Sequence, residues 1–173
     1  MAYVPVNQTR GSQLERPGER KKAKRISAGR ANAGLTHIAG EMFVAAELAK
    51  RGYSVSLTMG NAKAVDLFAE REGHAICVQV KAIARKKNVG WPLPLEKKKI
   101  VAGVLYVCVV LNEIDAPPTY YVLQPEEVLR RGKWYQTRAI LNVGDAKQFE
   151  GAWHLIGHAL RKLDPLDLSR PKA

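Results

Sequence analysis

The chain has 173 residues, 46% of them hydrophobic, enough for one compact domain with a real core and too few for two ordinary ones. Its 28 basic residues against 16 acidic ones give +12, and the excess is concentrated: residues 1–30 hold eight Lys/Arg against two Glu, residues 81–99 hold seven against Glu96 alone, and the remainder is neutral. No run nears the roughly 18 apolar residues of a membrane span and the N-terminus has no apolar signal core, so a cytoplasmic, polyanion-binding protein is expected.

Residues 1–33 combine basic, small and polar residues and read as a flexible basic arm able to track a phosphate backbone, with Lys21, Lys22, Lys24 and Arg25 as its contacts. Residues 34–163 read as the folded domain and 164–173 as a loose tail. From Thr36, a candidate N-cap, the apolar residues Ile38, Met42, Ala45, Ala46, Leu48 and Ala49 recur at helical spacing up to Gly52. Met42 and Phe43 are assigned to the core. Tyr53, Val55 and Leu57 then alternate as a half-buried strand, followed by a turn at Met59-Gly60-Asn61. Two further strands, Ala64 to Ala69 and Ala75 to Ile83, are joined at Glu72-Gly73.

A basic loop follows, containing Arg85, Lys86, Lys87, Trp91, two prolines, and Lys97, Lys98 and Lys99. Its cations suit phosphate contacts that position a nucleic acid without reading its sequence. Val101 to Leu111 is continuously apolar, as in a strand buried on both faces. Thr119 to Leu123 predicts another strand, Pro125 to Arg130 a helix, and Phe149 to Leu163 a last amphipathic helix. Trp134-Tyr135 reads either as core or as a base-stacking pair. His154 and His158 share a helix face and are read as packing or surface residues. Cys77 and Cys108 lie inside apolar strands and read as packing thiols rather than a disulfide. Strands mixed with flanking helices predict a mixed sheet covered on both faces, an α/β sandwich.

Asp66 interrupts an apolar strand, where an ionised carboxylate is costly unless it is exposed, paired or bound to metal. On the next strand the period of two puts Gln79 and Lys81 on one face and Val78, Val80 and Ala82 on the other. Pairing through the turn at Gly73 would bring Asp66 beside Gln79 and Lys81. Taken singly, each residue has an ordinary structural role: Asp66 as a hairpin ion-pair partner, Lys81 as one more loop charge, Gln79 as a satisfied amide, Glu41 as a solvated helix residue. Together they form one constellation.

Asp66, twelve residues, then Gln79-x-Lys81, preceded by a helix bearing Glu41 and by Gly52-Tyr53-x-Val55, resembles the PD-(D/E)xK nuclease superfamily over residues 36–111. The nearest branch holds archaeal Holliday junction resolvases and type IV restriction-like endonucleases. The resemblance implies a restriction-endonuclease-like α/β/α fold and a metal-dependent endonuclease acting on structured or branched DNA as a homodimer. It implies Asp66 as the principal metal carboxylate, Gln79 in the place of a second acidic ligand, Glu41 completing the site, and the Val80 carbonyl as a further ligand. Lys81 would orient the attacking water or stabilise charge on the phosphate. Mg²⁺ is the expected ion, with Mn²⁺ as an alternative. Val65 stands where the family has proline, and Gln79 replaces an acid with a neutral amide, a weaker ligand for a hard dication. The alternative reading is therefore a catalytically inactive nucleic-acid-binding protein on the same fold.

Overall fold

The computed structural model describes residues 33–58, 64–84 and 90–157. The expected arm and tail, the turn at residues 59–61, Arg85, Lys86, Lys87 and His158 lie outside the described residues, apart from Ala33. The elements run α1 (Ala33–Lys50), β1 (Ser54–Leu57), β2 (Leu67–Arg71), β3 (His74–Ala84), β4 (Gly90–Leu93), β5 (Val104–Leu111), β6 (Thr119–Leu123), α2 (Pro125–Arg131), β7 (Lys133–Trp134) and β8 (Ala139–Asn142). Neither α1 nor α2 is long and apolar enough to cross a membrane.

A five-stranded mixed sheet in the order β1-β2-β3-β5-β6 forms the centre. β1, β2 and β3 form an antiparallel meander, β3 and β5 pair in parallel, and β6 returns antiparallel to β5. Seven of the eight residues of β5 are buried, as its unbroken apolar run predicts for a strand covered on both faces. The β2–β3 hairpin turns at Glu72-Gly73, both at positive φ, a turn that matches the right-handed twist of its strands.

On one face α1 packs through Val44 and Leu48 against Val78, Val80, Leu105, Val107 and Val109. Its C-terminus closes in a Schellman motif: Tyr53 N–H donates to Leu48 O at 3.2 Å and Gly52 N–H to Ala49 O at 2.9 Å, with Gly52 at φ 82°. Gly40 sits so close to β3 that a Cβ there would lie 2.4 Å from the Ala82 Cβ. With α1 spanning Ala33–Lys50, Thr36 lies inside the helix and does not cap it. The assignment of Met42 and Phe43 to the core is corrected, since they are 51% and 44% exposed. α1 is apolar on two sides, and the side with the small residue Gly40 is the one that fits against the sheet.

The opposite face is covered by a three-stranded sheet, β4-β8-β7, together with the short α2. The segment expected as a loop around Trp91 is β4, and Trp91 is fully buried, its indole N–H donating to Val109 O at 2.9 Å. Pro92 is tolerated because, among the described residues, β4 is an edge strand paired to β8 alone. Trp134 is half-buried and donates to Pro94 O at 3.1 Å, whereas Tyr135 is exposed under the Arg138 guanidinium. Phe149 does not open a helix. It ends a 3-10 turn, Gly144–Phe149, after which Glu150 bridges to Tyr121 and Gly151 takes φ 63°. Helical geometry resumes only at Leu155. Cys77 and Cys108 are free thiols.

Candidate metal centre

Asp66 stands immediately before β2 rather than inside a strand, and the backbone holds it there from both sides. Its N–H donates to Val78 O and its carbonyl accepts from Thr58 N–H, both at 2.9 Å. The Thr58 hydroxyl also donates to Val65 O at 2.8 Å. Because Leu67 pairs with Val78, the antiparallel register sets Asp66 beside Gln79, as the strand pattern predicts. Both side chains are buried, 8% and 6% exposed. The Gln79 amide Nε2 donates to Asp66 Oδ2, and Val80 N–H donates to the same oxygen at 2.7 Å. Burial without donors would be costly for this carboxylate, and these two supply the compensation.

Glu41 reaches the same place from α1. His37, one turn earlier, contacts it through Nε2 to Oε1 at 2.9 Å. One ligand atom from each of His37, Glu41 and Asp66 lies within 4.8 Å of the others. These three residues could hold a metal ion. Burial pushes the Glu41 carboxyl above its ordinary value; His37 opposes the shift and the nearby Asp66 adds to it.

The other expected residues fall as follows. Lys81 lies two residues beyond Gln79 on the same strand face, half-buried and opposite Cys108 in β5. Among the described residues no ion pair joins it to Asp66 or Glu41. Val80 reaches the site as a donor, its N–H to Asp66 Oδ2. Gln79 meets Asp66 through its NH₂ group, so in this arrangement it orients the carboxylate. Lys97, Lys98 and Lys99 form an exposed 3-10 turn. Glu96 pairs with Lys98 at 3.1 Å and Lys99 at 2.5 Å, and Lys97 lies over the Trp134 ring. His37 was not foreseen from the sequence. Its signal was present, since residues four apart on a helix are neighbours and His37 is four before Glu41.

No family model matches this sequence, and no curated protein matches it. Among solved structures, a bacterial homing endonuclease, I-Ssp6803I, superposes with a TM-score of 0.54 over 76% of this chain and 95% of its own, at 17% identity. The chain has that nuclease's fold. Hjc, a Holliday junction resolvase from Archaeoglobus fulgidus, matches with a TM-score of 0.43 over 65% of this chain and 88% of its own, at 15% identity. The mixed sheet and the order helix, hairpin, crossover strand are therefore those of a nuclease-like α/β fold, as the resemblance over residues 36–111 implies.

Proposed function

We propose that the chain is a metal-dependent endonuclease that hydrolyses DNA phosphodiesters, with branched, Holliday junction-like DNA as its target. The observation that carries this reading is the convergence of Asp66 with Glu41 and His37 on a nuclease fold. The donor set fits a divalent cation: two carboxylates satisfy the minimum that such ions take from protein, and the Asp66 hydrogen bonds described engage Oδ2. Glu41, Asp66 and His37 would hold the ion, and when bound it would polarise a phosphoryl oxygen and lower the pKa of a water.

The chain's own groups divide the remaining work. Gln79 and Val80 fix the plane of the Asp66 carboxylate, so its geometry is set before a substrate arrives. Lys81 carries a positive charge on the same face of β3 as Gln79, suited to a scissile phosphate and its attacking water. Lys97, Lys98 and Lys99, with the basic arm of residues 1–33, would bind flanking phosphates. Two active sites in a homodimer would suit a two-stranded cut.

The test is incubation of the purified protein with labelled duplex, single-stranded and four-way-junction DNA, with Mg²⁺, Mn²⁺ or chelator. Metal-dependent cleavage lost in Asp66→Ala and Lys81→Ala, with DNA binding retained, is the expected result. Cleavage retained in both variants overturns the site. A second reading, a non-catalytic nucleic-acid-binding protein, is favoured by the amide of Gln79 at the acid position. It would give salt-sensitive binding, indifferent to Mg²⁺, with no cleavage.

A further inference from the structure

Within the proposed metal site, the donors that converge are not all oxygens. His37 Nε2 is 2.9 Å from Glu41 Oε1, and Asp66 completes a group within 4.8 Å drawn from two separate elements, α1 and the residue before β2. A helix-surface His–Glu pair at this spacing is commonplace by itself. What distinguishes this one is the buried Asp66 carboxylate facing it from the sheet. The 2.9 Å His37–Glu41 contact is itself a hydrogen-bonded pair that a cation would replace, with Asp66 within 4.8 Å of both ligand atoms.

The other half of the argument is Gln79. At the position where an acid would add a further anionic oxygen, a neutral amide spends its NH₂ group on Asp66. The site thus lacks one hard anionic donor and has one imidazole nitrogen instead. Mg²⁺ takes oxygen ligands almost exclusively, whereas imidazole suits first-row transition ions, for which affinity rises from Mn²⁺ towards the later metals.

We propose that His37 is a metal ligand of this site and that, with Glu41 and Asp66, it makes the centre a mixed nitrogen–oxygen site selective for a first-row transition dication over Mg²⁺. The proposal rests on the metal-site reading above but not on catalysis. His37 is half-exposed on α1, so its replacement leaves the core untouched. Glutamine removes the imidazole while keeping a polar side chain beside Glu41.

The experiment titrates the full-length chain with Co²⁺, read by visible absorption, with Mg²⁺ as competitor, for the natural protein, His37→Gln and Asp66→Asn. Thermal melts verify that each variant is folded. Co²⁺ should bind the natural protein at least about tenfold more tightly than Mg²⁺, and His37→Gln should weaken Co²⁺ by about tenfold or more while Mg²⁺ changes by less than about twofold. Asp66→Asn should abolish the absorption. Unchanged Co²⁺ affinity in His37→Gln, or an equal loss for both ions, overturns the proposal. If Asp66→Asn alone removes binding, His37 is not a ligand and the metal-site reading stands. Selective loss in His37→Gln in a protein that cuts no DNA leaves this inference standing and removes the nuclease reading.

Discussion

The side-chain amide of Gln79 donates to Oδ2 of Asp66, tying the buried carboxylate of the candidate site to the middle of β3. A carboxylate only accepts hydrogen bonds, so the NH₂ end of the amide must face it. Replacing the amide by a second carboxylate would put two negative charges in contact in a buried place. Gln79→Glu is expected to lose about 1–3 kcal/mol of stability at pH 7 in chelator. The loss should shrink at acid pH, where the pair can share a proton. Denaturant unfolding at pH 7 and pH 4 checks this, and equal stability of the variant at pH 7 would mean the contact is not held in solution.

Glu41 supplies a pH dependence. Burial raises its folded pKa above the ordinary 4.5, so the folded chain holds this proton more tightly than the unfolded one. Below 4.5 both states are protonated and the site costs nothing. As pH rises through 4.5 and then through the folded value, stability falls, and above that value the loss is complete. Glu41→Gln removes the penalty and should raise the melting temperature at pH 7 in chelator, with little change at pH 3.5. A lower melting temperature at pH 7 would show that the His37 contact outweighs burial.

Gly40 is the tightest point between α1 and the sheet. In Gly40→Ala the added methyl must displace Ala82, and a cost of about 1–3 kcal/mol is expected for overpacking. Because Glu41 follows directly, the displaced helix should also weaken cation binding. Adding Ala82→Gly to that variant should restore both properties. Calorimetry and metal titration of the single and double variants measure the coupling, and simple additivity would deny it.

Cys108 lies fully buried in β5, and burial pushes its thiol up to about 12. The thiolate is the reactive form, so the folded protein should leave Cys108 unlabelled by a maleimide at pH 8. Unfolding in denaturant should expose it fully. Peptide mass spectrometry at both conditions reads the result, and prompt native labelling would show that the central sheet opens readily.

The sequence was most legible where one period dominated over enough residues. β5 has a single unbroken apolar run, and the alternation of β3 fixed which way Gln79 pointed. β6 and α2 were bounded by prolines and came out nearly to the residue. The second sheet was not legible: its strands are two to four residues long, at or below the shortest run over which alternation can be counted, and Pro92 interrupts one of them. In α1 the periodicity was real but ambiguous, because Ile38 and Met42 mark one apolar side and Val44 and Leu48 another. Only contact with β3 selects between them. The last helix failed because Gly151, at positive φ, and the Glu150 bridge take the chain out of helical geometry. In the site, the Asp66–Gln79 neighbourhood followed from register, whereas His37 depended on the helix's rotation about its axis.

The hydrogen bonds from Gln79 and Val80 bear on time as well as on geometry. Asp66 is buried and oriented by these donors, and the backbone at Asp66 is locked by Thr58 and Val78. An arriving ion therefore meets a carboxylate whose plane is already set. Loading should be paced by the exchange of water from the ion itself, and so should differ between cations according to their own hydration lifetimes rather than to any motion of the protein.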